Sequence, residues 1–341
     1  MDRNDPLLSH QYEAVKALAS KFNKVTVVTG RAGDLESHQN IHVISTHWEE
    51  GRSWGNVARL LRKSLPIIFR GDFDSVFYHM TDLQCAIISP LIRLRGRRQI
   101  LWYAHTFKSR YLIHASRWVN AVVTSTPGSC PLTSNKVKPI GQAIDERMFQ
   151  PIPIDNLNFE KLVHIGRFDK SKNIDLLISS AQTIRLEFPS VELTIIGSPA
   201  NRESREWAAE LIEGNRVGIE NGWLRFKSAI PRVRFATEMA ENGCFFHSYI
   251  GSLDKTLIES TMLRAPVITL NEEYTSIFGS WSRLPELDLV NEYLAFKSKT
   301  LVEIDKELAR RLEIARNQHS LRSWIDQLTI LLGEPIFLPN P

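Results

Sequence analysis

The chain has 341 residues, 43% of them hydrophobic and 23% charged, with a formal net charge of +4. That length exceeds one ordinary hydrophobic core and predicts two domains, while the mild charge leaves no electrostatic footprint for nucleic acid. A run of about 18 apolar residues, the signature of a membrane-spanning helix, is absent, and the acidic opening Met-Asp-Arg-Asn-Asp-Pro does not read as a signal peptide.

Strands and helices alternate from the start. Leu8, Tyr12, Val15, Leu18, Ala19 and Phe22 recur at helical spacing over 8–22, with Asp5 placed to cap and Pro6 to occupy the first helical position. Lys24 to Thr29 reads as a buried strand stopped by Gly30, and further strands are expected at Ile41–Ser45, Ser75–Tyr78, Gln99–Tyr103 and Asn120–Thr124. No apolar strand precedes the first helix. Either translation starts upstream of Met1 or this sheet lacks its first strand; the first reading is preferred, because a missing central strand leaves unpaired backbone groups on its neighbours.

Pro151-Ile152-Pro153 then breaks the chain, and a second series follows. It comprises strand Leu162–Ile165, helix 173–187, strand Val191–Ile196 ending at Gly197, strands near Leu224–Phe226 and Cys244–Phe246, helix 254–263 and strand Val267–Leu270. The pattern predicts an α/β protein of two doubly wound parallel-sheet halves, residues 1–150 and 151–341. Cys85, Cys130 and Cys244 lie far apart and read as buried thiols in a reducing cytoplasm.

Two segments carry chemistry. Gly166 lets the backbone turn at a strand end, and Arg167 and Lys172 follow it: a planar fork and a point charge, the two usual holders of phosphate. A solvated loop with two exposed cations accounts for the same spacing. Downstream, Ser252 and the N–H groups of Ser252, Leu253, Asp254 and Lys255 can form an anion nest at a helix start. Glu259 projects from the first turns of that helix, either as an acceptor of two ribose hydroxyls or as a surface residue favouring the helix N-terminal half.

Together, Gly-Arg-Phe-Asp-Lys-Ser-Lys-Asn-Ile-Asp-Leu-Leu-Ile at 166–178 and His-Ser-Tyr-Ile-Gly-Ser-Leu-Asp-Lys-Thr-Leu-Ile-Glu-Ser-Thr-Met-Leu-Arg-Ala-Pro-Val-Ile at 247–268 resemble the retaining glycosyltransferases of family 4. The resemblance implies the GT-B fold, two Rossmann-like domains facing across a cleft, with acceptor binding in the first and nucleotide-sugar binding in the second. It also implies a last helix packed back on the first domain. By the same resemblance Arg167 and Lys172 grip the donor diphosphate, Gly166, Gly251, Ser252 and Leu253 line the donor site, and Glu259, second Glu of a Glu-x7-Glu signature, holds the ribose. Its first Glu, which meets the transferred sugar, falls at Gly251, a departure that leaves sugar recognition to backbone N–H groups. Ile140-Gly141-Gln142-Ala143-Ile144-Asp145 with Phe149 resembles the family's interdomain segment, and Trp102-Tyr103-Ala104-His105 its strand-ending histidine. His105 is thereby expected to reach a sugar hydroxyl or the β-phosphate, although a histidine at a strand end is commonly structural.

The implied chemistry needs no metal and no cofactor, the nucleotide sugar being a substrate. Preorganised cations and helix N–H groups stabilise the charge that grows on the leaving diphosphate. The lone Asp-x-Asp, Asp72-Phe73-Asp74, reads as a loop feature. Arg93, Arg95, Arg97 and Arg98 form either a solvated turn or a contact to an anionic membrane bearing a lipid-linked acceptor at the inner face. Trp48, Trp54 and Trp118 suit sugar stacking or core packing. Three function classes follow: a retaining transferase using a UDP- or GDP-sugar to extend a cell-surface glycan or glycolipid, a GT-B epimerase, and a nucleotide-sugar-binding protein without catalysis. An epimerase needs a further cluster of acid–base groups that the sequence does not show.

Overall fold

The computed structural model describes residues 1, 9–49, 51, 53–286 and 288–333. The expected cap Asp5 and first helical Pro6 lie outside the described residues. The chain divides into two compact units, Met1–Ala143 with Ser320–Pro341, and Ile144–His319.

The first unit runs α1 (Ser9–Ala19), β1 (Val25–Thr29), β2 (Ile41–Ser45), α2 (Ser53–Arg70), β3 (Ser75–His79), α3 (Asp82–Leu94), β4 (Arg98–Trp102), α4 (Arg110–Trp118), β5 (Ala121–Thr124) and β6 (Val137–Pro139). All pairings are parallel, in two pieces: β1 with β2, and β3-β4-β5-β6. Among the described residues no strand joins β1 to β3, which is where a first strand of a doubly wound sheet belongs. Side chains of β4 and β5 alternate between two cores. Leu101 and Val122 pack with Cys85, Ile88 and Leu112. Ile100, Trp102, Ala121 and Val123 pack with Ala14 and Leu18, and with Leu321, Trp324, Ile325 and Leu328 of the last helix.

The second unit follows with β7 (Lys161–Ile165), α5 (Ile174–Ile184), β8 (Glu192–Ile196), α6 (Arg202–Gly214), α7 (Arg216–Glu220), β9 (Leu224–Lys227), α8 (Phe235–Asn242), β10 (Cys244–His247), α9 (Lys255–Met262), β11 (Val267–Thr269), α10 (Glu272–Phe278), α11 (Leu289–Lys297) and α12 (Leu301–His319); α13 (Leu321–Leu332) belongs to the first unit. Its five strands are parallel in the order β11-β10-β7-β8-β9. Leu162, Leu193, Ile195 and Phe246 enter one core, and Val163, Ile196, Phe245 and Val267 the other. Both faces are thus buried, which is why the strands read as continuous apolar runs. All three cysteines are free and buried.

Candidate functional site

In an open parallel sheet, the crevice lies where successive connections leave in opposite directions. In the second unit that point falls between β7 and β10. The segments leaving their carboxyl ends are 166–173 and 248–254, the two segments that carry the sequence motifs. Glycines allow the strand ends to close up. A Cβ on Gly197 would stand 1.9 Å from the Gly166 carbonyl oxygen, and one on Gly166 2.8 Å from His164 Nε2.

The loop after β7 is shaped by its own polar residues. Asp169 accepts from the Ser171 N–H at 2.9 Å, closing a turn over Lys170–Lys172. Asn173 adopts the left-handed conformation, φ 48°, tolerated by Asn better than by most residues. Ser248 Oγ then donates to the carbonyls of Lys172 and Asn173. This staple fixes the two loops together and carries buried Lys172 into the second motif. Arg167 is exposed and has no ion-pair partner among the described residues.

The loop after β10 is held by buried Asn271, whose Nδ2 donates to the carbonyls of Tyr249 and Gly251 at 3.1 and 2.9 Å. A Cβ on Gly251 would lie 2.0 Å from Tyr249 Oη, so any side chain there requires the Tyr249 ring to move. The Tyr249 ring lies against Lys172, with Nζ 3.9 Å from its centroid. Lys172 Nζ also donates to Asp254 Oδ2. Asp254 occupies the N-cap of α9 without making a capping hydrogen bond, so the first-turn N–H groups lack that partner. Buried Thr256 Oγ1 has no partner either. Ser252 is half-buried. Leu253 is packed in the core, so its side chain is not available to a ligand and only its backbone faces this turn.

Glu259 is 5% exposed, which excludes the surface-residue reading. Its carboxylate is ion-paired with Arg232, whose guanidinium lies 5.6 Å from the Phe149 ring centroid. Burial pushes the Glu259 carboxyl up, against the pull of Arg232 and Lys255. For Asp254, burial also pushes upward, but the adjacent Lys172 ammonium leads the opposing pull and the carboxyl is held well below the usual range. The site therefore presents anions and cations in close balance, with Arg167 as its exposed cation.

Two buried histidines stand behind it. His164 Nδ1 donates to the Phe246 carbonyl at 3.1 Å, and His247 Nδ1 lies 3.0 Å from Thr269 Oγ1. Burial lowers both; His164 falls to about 3, helped by His247, and burial alone takes His319 to about 4. Unfolded histidines bind protons near pH 6.5 while these folded ones do not, so stability present above about pH 6.5 is lost as pH falls. Urea melts between pH 7.5 and 4.5 are expected to show stability dropping by up to about 1.4 kcal/mol per pH unit for each histidine. A flat profile would show that these rings titrate alike in the folded and unfolded chain.

Residues proposed from the first half belong to the first unit. His105 is exposed after β4, and its Nδ1 accepts from the Phe107 N–H at 2.9 Å, which leaves Nε2 as the proton-bearing nitrogen of the neutral ring. Asp72 and Asp74 are exposed, Asp74 Oδ1 lying 3.9 Å from Arg97 Nη1. Arg97 also donates to the Gly71 carbonyl at 3.1 Å, so it is a helix-end fastener as well as a surface charge. Arg93, Arg95 and Arg98 are exposed beside exposed Leu94. Trp54 is 87% exposed, whereas Trp48 and Trp118 are half-buried.

Tyr249, Arg232 and Asn271 were not identified from the sequence. Asn271 and Arg232 lie outside both motifs, and Tyr249 matters only because Gly251 leaves room for its ring.

No protein-family profile matches the chain, and no curated protein matches it in sequence. Solved structures do match in fold. HepE of Anabaena, solved in complex with UDP and glucose, superposes with a TM-score of 0.72 at 12% identity, covering 98% of both chains. Sucrose-phosphate synthase of Thermosynechococcus elongatus gives 0.70 at 15% identity over 94% of this chain and 90% of its own. An apo structure of OtsA gives 0.68 at 11% identity over 97% and 96%. The chain therefore has the fold of the GT-B glycosyltransferases over nearly its whole length.

Proposed function

We propose that the chain is a retaining glycosyltransferase of the family 4 type. It moves a sugar from a UDP- or GDP-sugar to a glycan or lipid-linked acceptor in cell-surface polysaccharide or glycolipid synthesis. The observation that carries this reading is the stapling of the Lys172 loop to the 248–254 loop at the switch point of the sheet. It sets an ammonium beside the uncapped first turn of α9, the two features that hold a diphosphate. That HepE carries UDP in the same fold supports the choice of donor.

In this reading Arg167, Lys172 and the α9 N–H groups stabilise the charge developing on the leaving diphosphate as the sugar passes through an oxocarbenium-like state. Glu259 accepts from the ribose hydroxyls while its ion pair with Arg232 opposes the upward push of burial on its carboxyl. His105, with its proton on Nε2, is assigned a donor hydroxyl or the β-phosphate. The reaction uses neither metal nor cofactor.

The test is incubation with UDP-glucose, UDP-N-acetylglucosamine and GDP-mannose, with and without oligosaccharide or lipid-linked acceptors. Release of UDP or GDP that requires acceptor supports transfer. An altered sugar without release means epimerisation, and binding without turnover means a binding protein. Activity is expected to survive EDTA; its abolition would return Asp72 and Asp74 to consideration as metal ligands.

The cytoplasmic, inner-membrane placement is proposed from Arg93, Arg95 and Arg98 flanking Leu94, which is 84% exposed, a basic rim around an apolar tip. Co-sedimentation with vesicles of phosphatidylglycerol is expected, with little on phosphatidylcholine. Each charge contributes about 1 kcal/mol near such a surface, so Arg93→Gln with Arg95→Gln should reduce binding by at least roughly tenfold. Equal binding of variant and parent would show that this surface does not touch the membrane.

A further inference from the structure

We infer that Asp254 is an internal anion that makes the site prefer a sugar-bearing nucleoside diphosphate to the free nucleoside diphosphate, and so drives product release. The inference rests on the donor site proposed above. Asp stands at the N-cap of α9, where its carboxylate ordinarily accepts from the helix N–H groups. Here it caps nothing and reaches instead to Lys172 through Oδ2. His247 Nε2 lies 3.6 Å from that oxygen, fully buried and with no hydrogen-bond partner. The Tyr249 ring also lies against that ammonium, its centroid 3.9 Å from Nζ. Asp254 Oδ1 has no hydrogen-bond partner among the described residues, and the side chain keeps 23% of its exposure. Lys255 and Glu259 are the other charged groups on α9 that act on it.

A phosphate that reaches Lys172 therefore meets a carboxylate already seated on the same ammonium. The terminal phosphate of a free nucleoside diphosphate carries between one and two charges near neutral pH, its second ionisation lying at about pH 6. In a nucleotide sugar that phosphate is a diester with one charge, and the attached sugar brings hydroxyl donors that the free Oδ1 can accept. Like charges disfavour the spent nucleotide, and hydrogen bonding favours the loaded one. The helix N-terminus alone would favour the more charged ligand, so the preference comes from Asp254.

Calorimetric titration of UDP against UDP-glucose, and of GDP against GDP-mannose, reads this directly. The wild-type protein is expected to bind one nucleotide sugar more tightly than its free diphosphate. In Asp254→Asn the free diphosphate should tighten by roughly tenfold, since one close charge pair is removed, while the nucleotide sugar should gain at least about threefold less. Asp254→Ser, whose hydroxyl can cap α9, gives the same comparison if the amide variant folds poorly. Both ligands shifting by one common factor, weaker binding of the free diphosphate to the variants, or a wild-type protein that binds free diphosphate more tightly than every nucleotide sugar would overturn the inference while leaving the donor site intact. A wild-type protein that binds none of the four ligands would overturn the donor site, and this inference with it.

Discussion

Replacing Lys172 by alanine is expected to weaken nucleotide-sugar binding by at least about tenfold, because a charge-assisted hydrogen bond to phosphate contributes roughly 1.5–3 kcal/mol. The same change should lower stability. Lys172 is buried and is the ion-pair partner of Asp254, and stranding that carboxylate costs about 1–3 kcal/mol. Arg167→Ala provides the contrast. Its side chain is exposed with no ion-pair partner among the described residues, so donor affinity should fall by a similar factor while the melting temperature stays put. Unchanged donor affinity in a folded Arg167→Ala protein would remove that residue from the phosphate grip. Unchanged affinity in both variants would remove the grip altogether.

Glu259→Gln is the second large effect. Ribose hydroxyls donate more strongly to a carboxylate than to an amide, and nucleotide affinity should fall by about tenfold, as expected for losing a charge-assisted bond. The fold does not escape. Glu259 is buried against Arg232, so the amide leaves a poorly compensated guanidinium and costs about 1–3 kcal/mol, read as a melting point lower by about 2–4 °C per kcal/mol. Replacing both members separates the two roles. Glu259→Gln with Arg232→Met removes the unpaired charge, because exchanging a buried pair for apolar packing is often neutral. Stability should recover in the double variant while nucleotide affinity does not. Recovery of both would mean that Glu259 serves only the fold.

The architecture was largely legible because a parallel sheet buried on both faces writes itself as apolar runs. Val163, Leu193, Ile195, Phe245 and Phe246 are fully buried, and each stands in a strand expected from such a run. The strand β6 escaped because it spans only Val137–Pro139 and ends in proline, a residue confined to sheet edges.

The site was legible only in its local part. Gly166, Arg167 and Lys172 follow one strand and Gly251, Ser252 and Asp254 another, so a strand–loop–helix reading reaches them. What holds each charge depends on pairings between distant segments. Arg232 meets Glu259, Ser248 meets Lys172, and Asn271 shapes the turn at Gly251. No spacing rule carries those contacts, because they are set by strand order. The Gly251 departure acquires a physical reason only when the Tyr249 ring is seen to fill its side-chain space.

A crystal structure with UDP or GDP bound tests most directly whether the switch point between β7 and β10 is a diphosphate site. The diphosphate is expected within hydrogen-bonding distance of Arg167, Lys172 and the first-turn N–H groups of α9, with the ribose on Glu259. A nucleotide bound elsewhere, or a diphosphate that touches neither Arg167 nor Lys172, would contradict that placement.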